Sequence, residues 1–287
     1  MTDSSADASM QFKNRTREGW NKAAAGWDQQ TPQIHQWLLD ITEAMMDASG
    51  IKEGAQVLDV AAGAGDQTLM LARRVGAQGH VLATDLSADI LQLALRNAQQ
   101  AGLPQVEVQV ADAEQLEFPA GSFDAAVSRL GVMFCPHPLL ALQGMHRVLK
   151  PGGKAAVVVF SEPRANPAMG ILMSTAVKHA GLPPRDPYQP GGLMSLGKPG
   201  LLASLFAEAG FKDVRVQKIP APFRLPTTQD YMEFAQTAAS PIMQLVSTLD
   251  PQTQQKAWVD MAAQLEVFQT PDGWEGPNEL LLASGTH

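Results

Sequence analysis

Residues 56–66 have the sequence QVLDVAAGAGD, and this stretch decides the fold class of the 287-residue chain. Its first part, 56–61, is a short apolar run that ends in small residues, which is typical of a buried parallel strand. The turn Gly63-Ala-Gly65 follows, and 66–75 then carries apolar residues at helical spacing. The stretch therefore predicts a strand, a glycine turn and a helix, which is the first half of a βαβ unit.

The same alternation of apolar strands and amphipathic helices continues along the chain. Further strands are predicted at 80–85, 106–111, 123–129, 155–160 and 214–219, and 278–284 is predicted to return as a final edge strand. Helices are predicted from the N-cap candidate Ser87 to Gly102, at 138–149 and at 201–209. This order predicts a Rossmann-like, doubly wound α/β fold, in which a mostly parallel, seven-stranded sheet carries helices on both faces.

The sequence predicts an N-terminal helical segment and a separate sheet domain with insertions. Residues 1–49 are predicted to form a loose polar tail over 1–10 and a helical flap over 15–48. Residues 50–287 are predicted to form the sheet domain. Two insertions interrupt it, a Pro- and Gly-rich loop with one short helix at about 161–196 and a mostly helical segment at about 227–272.

Composition excludes several classes of protein. Residues AVILMFWYC make up 45% of the chain and charged residues 17%, which indicates a globular protein and not a disordered one. No apolar run approaches the roughly 18 residues of a membrane span, and the first residues have no features of a signal peptide. The single cysteine, Cys135, excludes an internal disulfide framework, and the net charge of −8 argues against a nucleic-acid partner. We therefore expect a cytoplasmic protein that binds a small molecule.

Acidic and small residues lie where the predicted parallel strands end. Asp85 ends the second strand, 20 positions after Gly65, where a carboxylate can accept both hydroxyls of a ribose. Asp112 follows the third strand, where a carboxylate can meet the exocyclic amine of an adenine. Because ligands of open α/β sheets bind outside the carboxyl ends of the strands, these residues predict a nucleoside site at one edge of the sheet.

Other nucleotide sites are less compatible with this sequence. The dinucleotide fingerprint requires Gly-x-Gly-x-x-Gly, and Thr68 stands at the position of its third glycine. The chain also lacks the Gly-x-x-x-x-Gly-Lys-Ser/Thr loop that cradles nucleoside triphosphates. The site therefore suits one nucleoside with a short charged tail better than a pyrophosphate. An NAD(P)-dependent oxidoreductase and a non-catalytic binding module stay open as alternatives.

Four segments carry a resemblance to a known family. They are VLDVAAGAGD at 57–66, ADAE at 111–114, FPAGSFD at 118–124 and RVLKPGG at 147–153. In this combination the chain resembles the class I S-adenosylmethionine-dependent methyltransferases, and within them the branch that methylates precursors of ubiquinone and menaquinone. The resemblance covers about residues 50–160 and implies S-adenosylmethionine as the cofactor, with S-adenosylhomocysteine as the product.

The resemblance also implies roles for single residues. Gly63 and Gly65 would face the methionine part of the cofactor, while Asp85 would bind the ribose hydroxyls and Asp112 the adenine amine. Asp59 would organise the turn. The other residues that it places at the cofactor are Ala61, Leu86, Ala113 and Arg129.

The tryptophans of the predicted flap have two interpretations. Trp20, Trp27 and Trp37 either close over cofactor and acceptor or pack the flap helix onto the sheet. In the first case Trp27 lies beside the sulfonium, because an aromatic face attracts a cation. Trp27 is therefore counted among the candidate cofactor-binding residues.

The acceptor side is less defined by the sequence. His137 follows the fourth strand and is the candidate general base, with a surface histidine at a helix start as the alternative. The candidate walls of the acceptor pocket are Met133, Phe134, Asn166 and His35.

These observations predict an enzyme that transfers a methyl group to a small, fairly apolar acceptor of aromatic or quinone-like character. Transfer to carbon, oxygen or nitrogen would occur by in-line displacement, which depends mainly on alignment of the reacting atoms. The fourth strand ends in Ser128-Arg129 without a carboxylate, so we expect no metal. The oligomeric state, including a homodimer, stays open.

Overall fold

The computed structural model describes residues 3–287, with side chains from residue 7 onward. Its strands are β1 (Gln56–Val60), β2 (His80–Asp85), β3 (Val106–Val110), β4 (Phe123–Arg129), β5 (Leu149–Phe160), β6 (Lys212–Pro220), β7 (Phe223–Leu225), β8 (Gln269–Thr270), β9 (Gly273–Gly276) and β10 (Glu279–Thr286). Its α-helices are α1 (Asp3–Gln29), α2 (Thr31–Ala48), α3 (Asp66–Val75), α4 (Ala88–Gln100), α5 (Pro138–Val148), α6 (Pro167–His179), α7 (Leu201–Glu208), α8 (Thr228–Thr237), α9 (Ser240–Val246) and α10 (Pro251–Leu265). Over this range, no helix is both long enough and hydrophobic enough for a membrane crossing.

A seven-stranded sheet in the order β3-β2-β1-β4-β5-β10-β6 forms the centre of the protein. Strands β1 to β5 pair in parallel, and β10 is antiparallel to both β5 and β6. This confirms the predicted Rossmann-like, mostly parallel, seven-stranded α/β fold. The strand predicted at 278–284 is present as β10, but its predicted position at the edge is wrong. Leu280 to Ala283 are all buried because β10 has a neighbour on each side, and the largely exposed β6 forms the edge instead.

The strand order reverses between β1 and β4, and this reversal distributes the helices over both faces. Helices α2, α3 and α4 contact one another in turn, and α5 contacts α7. Right-handed crossovers place these two groups on opposite faces, since the chain moves in one direction from β1 to β3 and in the other from β4 to β5. The reversal leaves a crevice outside the carboxyl ends of β1 and β4, where ligands of such sheets bind.

Local sequence explains how the helices beside this crevice begin. Gly65 adopts a φ of 93° immediately before α3, a backbone conformation that glycine tolerates at little cost. The hydroxyl of Ser87 accepts the N–H of Ile90 at 3.2 Å and caps α4, which confirms the predicted N-cap. Both helices therefore present their N-terminal ends at the crevice.

The N-terminal and inserted segments differ in part from expectation. Helix α1 already begins at Asp3, inside the predicted tail, while Met1 and Thr2 of that tail lie outside the described residues. A break at Gln30 separates α1 from α2, where the sequence predicts one helix over 15–48. The second insertion contains α8, α9 and α10, followed by β8 and β9. Strand β9 pairs with both β7 and β8 in a small antiparallel sheet. Strands of two to four residues are too short for a periodic pattern to reveal them.

Candidate functional site

A strand-end cleft lies at the crevice, between the carboxyl ends of the central strands and helix α1. It encloses about 960 Å³, part of which is open to solvent. The candidate site residues that line it are Trp27, Ala61, Gly63, Asp85, Leu86, Asp112, Ala113, Arg129 and Phe134. The fold therefore brings most of the predicted cofactor residues, which come from separate segments, into one space.

The turn after β1 is held in an unusual backbone conformation. Ala61 has a φ of 58° although it is not glycine, and Gly63 has a φ of 59°. A Cβ atom at Gly63 would lie 3.2 Å from the indole nitrogen of Trp27, and one at Gly131 would lie 2.3 Å from the Cβ of Ala61. The turn, the loop after β4 and the flap helix therefore approach each other so closely that a side chain at either glycine would disturb them.

Asp59 lies beneath this turn and does not line the cleft. Its carboxylate is fully buried and accepts hydrogen bonds from the hydroxyl of Thr68, at 2.6 Å, and from the amide of Gln67. Burial raises the pKa of Asp59 to about 6, although both hydrogen bonds and the charge of Arg129 lower it. Thr68, at the position of the third glycine in a dinucleotide fingerprint, thus serves as a donor that fixes the turn. These hydrogen bonds join the end of β1 to the first turn of α3, on the two sides of the glycine turn.

Asp85 connects the end of β2 to the same turn. One carboxylate oxygen accepts the N–H of Gly63 at 3.1 Å, and the other accepts the N–H of Ser87 at 3.0 Å. Burial raises the pKa of Asp85, and the backbone N–H donors oppose this rise. A carboxylate that is fixed through both oxygens at the cleft wall still has lone pairs for the hydroxyls of a ligand.

A cation that the sequence analysis missed lies at the other end of the cleft. The ammonium of Lys13 is 2.7 Å from Asp112 and 2.6 Å from Glu114. Lys13 lies on α1, and the only sequence signal for this contact is a basic residue on the helix face that also carries Thr16 and Trp20. The purine end of the predicted nucleoside site is therefore covered by the flap helix.

Asp66 and Arg129 form a second ion pair in the cleft wall. Arg129 Nη2 donates to Asp66 at 2.8 Å, and its Nη1 donates to the hydroxyl of Thr42 at 2.6 Å. His35 Nδ1 lies 2.8 Å from the other carboxylate oxygen of Asp66. His35, a candidate for the acceptor pocket, is thus engaged with the first residue of α3. Asp66 belongs to the glycine motif, but its contacts with both α2 and β4 are visible only in the structure.

A second space adjoins the strand-end cleft and has a different chemical character. This apolar pocket encloses about 470 Å³ and shares Trp20, Trp27, Leu130 and Phe134 with the cleft. Its other walls are Trp37, Met133, Phe160, Met169, Leu193, Phe234, Ala238, Ala239, Pro241 and Ile242. The candidate acceptor residues Met133 and Phe134 therefore line it, and helices α8 and α9 of the second insertion supply much of the remainder.

Two other candidates are not brought to either space. His137 is exposed at the start of α5, where its backbone N–H donates to Glu114 at 2.5 Å. Asn166 is fully buried, but its amide donates to Ser161, Glu162 and Glu279 and its carbonyl oxygen accepts the N–H of Glu279. Asn166 therefore joins β10 to the loop after β5, and the structure gives neither residue a place beside an acceptor.

Comparison with known proteins identifies the same region of the chain. Residues 31–176 match the sequence profile of the ubiE/COQ5 methyltransferase family. A ubiquinone/menaquinone biosynthesis C-methyltransferase from Pseudomonas aeruginosa (strain LESB58) is 38% identical over 122 residues, which are 42% of this chain and 48% of that protein. The chain thus spans about half the length of the curated relatives it matches.

Solved structures share the fold over more of the chain. A putative methyltransferase from Bacillus halodurans C-125 has a TM-score of 0.57 and 23% identity, covering 85% of this chain and 97% of its own. Phosphoethanolamine N-methyltransferase 2 from Haemonchus contortus, solved with S-adenosyl-L-methionine, has a TM-score of 0.55 and 18% identity, covering 90% of this chain and 57% of its own. At these identities the similarity concerns the fold alone.

Proposed function

Because this chain belongs to the ubiE/COQ5 methyltransferase family, we propose that it is an S-adenosylmethionine-dependent methyltransferase with a small, largely apolar, aromatic acceptor. The observation that carries the proposal is the shared wall of two spaces. The strand-end cleft presents carboxylates to a nucleoside, and the apolar pocket adjoins it through Trp20, Trp27, Leu130 and Phe134. A donor and an acceptor bound in these two spaces would meet at that wall.

The residues present fit a nucleoside with a charged tail. Asp85 would hold the ribose hydroxyls, and Asp112 would accept the adenine amine, with Leu86 and Ala113 against the ring. The close backbone at Gly63 and the N-terminus of α3 would face the tail. Trp27 would lie near the sulfonium, where an indole face attracts positive charge.

The chain's own contribution to the reaction is mainly orientation. When bound, S-adenosylmethionine supplies an electrophilic methyl group. The side chains of Trp20, Trp27 and Phe134 position the acceptor on the opposite side of that methyl group and exclude water from the contact. The ion pair of Arg129 and Asp66 and the buried Asp59 network keep the turn rigid while this occurs.

Some relatives are named as C-methyltransferases of ubiquinone and menaquinone biosynthesis. Quinone-like compounds are therefore one group within the proposed acceptor class. An NAD(P)-dependent oxidoreductase is less compatible with the site. Thr68 stands at the position of the third glycine of the dinucleotide fingerprint, and its hydroxyl donates a hydrogen bond to Asp59.

Calorimetric titration of the full chain tests the proposal. We expect S-adenosylhomocysteine to bind with one-to-one stoichiometry and NADH to show no saturable heat. Transfer of a labelled methyl group to an apolar aromatic compound would follow in the same preparation. Saturable binding of NADH without binding of S-adenosylhomocysteine would contradict the proposal.

A further inference from the structure

The apolar pocket narrows the class of acceptor, and this inference rests on the proposed function. Among the residues that the structure describes, those lining the pocket are aromatic, aliphatic, thioether or proline side chains, and none of them is titratable. The charged residues Lys13, Asp66, Asp85, Asp112 and Arg129 line the strand-end cleft and not the pocket. An acceptor in the pocket therefore meets no side chain that could take a proton from it.

The histidines proposed for the acceptor side and the cysteine near it do not supply a base to the pocket either. His137 is exposed immediately before α5, and His35 lies against Asp66; neither lines the pocket. Cys135 lines the strand-end cleft, where burial raises the pKa of its thiol far above the ordinary value, with Glu114 and Asp112 adding to the effect. The thiol therefore stays protonated.

The shared wall is aromatic. The rings of Trp20 and Trp27 are perpendicular with centroids 5.4 Å apart, and the rings of Trp20 and Phe134 lie edge to face at 5.7 Å. These three side chains border both spaces, so a methyl group that moves between them passes the rings. Aromatic faces attract cations, whereas burial of an anion in an apolar enclosure is costly. The wall can thus stabilise a positive charge on either side of the transferred group.

We propose that the acceptor is an uncharged heteroaromatic amine of the pyridine or quinoline type, methylated on a ring nitrogen that carries no hydrogen. The nitrogen lone pair forms the bond to the methyl carbon, and the electron pair of the broken carbon–sulfur bond stays on sulfur. No proton is released. The positive charge moves from sulfur to nitrogen beside Trp20, Trp27 and Phe134. A phenol, a quinol or a thiol would have to lose a proton, and the described lining of the pocket contains no group to accept it.

A binding experiment separates charge from shape without relying on turnover. N-methylquinolinium and 1-methylnaphthalene have nearly the same shape, but only the first is a cation. We titrate each into the protein saturated with S-adenosylhomocysteine, using wild type, Trp20→Leu and the control Met133→Leu, which alters the pocket without removing a ring. The preference for the cation over the hydrocarbon should fall roughly 2- to 30-fold in Trp20→Leu and stay unchanged in Met133→Leu. An unchanged preference in a folded Trp20→Leu protein would overturn the inference.

An acceptor panel tests the same idea through the reaction. Quinolines of different basicity, naphthols, quinols and aryl thiols are compared by kcat/KM with labelled cofactor. The quinolines should be favoured, their pH profiles should shift with the pKa of each quinoline, and a weakly buffered indicator assay should record no proton released per methyl transferred. Higher kcat/KM for naphthols, quinols or thiols, or one pH midpoint shared by all quinolines, would overturn it.

The outcome also distinguishes the inference from the proposed function. If S-adenosylhomocysteine binds and no quinoline is methylated, the acceptor class is wrong while the cofactor site stands. If S-adenosylhomocysteine fails to bind, the proposed function itself is contradicted.

Discussion

The strand-end cleft and the apolar pocket share four residues but are built in different ways. In the cleft, backbone turns and carboxylates lie at the ends of strands or within a few residues of them, so that Gly63, Asp85 and Asp112 each belong to a short local motif. In the apolar pocket, side chains such as Trp37 and Phe234 come from separate helices that meet only after folding. The residues of the cleft are thus determined by short motifs at the ends of individual strands. The shape of the pocket depends instead on how the N-terminal helices and the insertions pack.

This difference predicts that the two spaces respond differently to substitution. Substitutions in the cleft should change the affinity for the nucleoside, because they remove single hydrogen bonds or alter backbone angles. Changes in the pocket should affect packing and acceptor choice while the nucleoside site stays intact.

The largest effect that we expect comes from the pocket. Phe234→Ala removes a ring that is 3% exposed and packs 4.8 Å from the ring of Phe223. The free energy of unfolding should fall by about 3–5 kcal/mol, as for other buried phenylalanines. Denaturant unfolding measures this loss, and Phe234→Leu, which keeps most of the volume, should lose less than about 1.5 kcal/mol. If the folded Phe234→Ala protein bound S-adenosylhomocysteine much more weakly than wild type, the two spaces would not be separable.

The next effect concerns the backbone of the turn beside the cleft, since Gly65 belongs to this turn but does not itself line the cleft. Gly65 has a φ of 93°, and an added Cβ would lie 3.0 Å from the Cα of Ala94. Gly65→Ala should lower the free energy of unfolding by about 2–4 kcal/mol through strain and overpacking together. Gly102→Ala is the matched control, because its φ is 68° but nothing lies within 4 Å of the added atom. The control should lose only about 1–2 kcal/mol, and equal losses at both positions would show that the contact with α4 is unimportant.

The buried carboxylate of Asp59, beneath the turn after β1, should affect the pH dependence of stability. The pKa of Asp59 is raised from 3.8 to about 6 in the folded protein, so between these values the folded state binds more protons than the unfolded state. The contribution of Asp59 to the free energy of unfolding therefore decreases as pH rises from about 4 to 6, by at most about 3 kcal/mol. At pH values above the pKa of Asp59 in the folded protein, the buried carboxylate is charged and lowers the free energy of unfolding by its full amount.

Asp59→Asn tests this sign. Relative to wild type, the variant should gain stability as pH is raised from 4 to 7, which denaturant titrations at several pH values can measure. A stability difference that is constant over this range would show that Asp59 titrates normally.

The smallest effect concerns the affinity for the ligand. Asp85→Ala should weaken binding of S-adenosylhomocysteine by about 1.5–3 kcal/mol, roughly 10- to 150-fold in Kd, through lost charge-assisted hydrogen bonds. Calorimetry gives the affinity, and Met133→Leu in the apolar pocket serves as the control that should bind as wild type does. Unchanged affinity in a folded Asp85→Ala protein would remove this carboxylate from the nucleoside site.

The sequence predicts the sheet and its turn better than the walls around them. The strands at 80–85 and 123–129 and the N-cap at Ser87 follow from local apolar periodicity and side-chain chemistry. The position of β10 in the sheet cannot be predicted in this way. An apolar strand has the same sequence pattern whether it pairs with β5 alone or with both β5 and β6.

Some residues of the candidate site can be predicted from the sequence, and others cannot. Asp85 and Asp112 can be placed because each follows a strand at a fixed offset. Lys13 cannot be placed, because it reaches Asp112 across 99 positions of sequence. The exposure of His137 also cannot be predicted, because a position after β4 does not determine which way a helix start faces.

By itself, the sequence determined the alternation of strands and helices, the glycine turn and the carboxylates at the strand ends, since each depends on neighbouring residues. Only the tertiary structure decided that Lys13 pairs with Asp112 and Glu114, that Arg129 joins Thr42 to Asp66, and that rings from distant helices enclose an uncharged pocket. The physical reason is that backbone conformation responds to local sequence, whereas packing of helices onto a sheet depends on the shapes of all surfaces that meet.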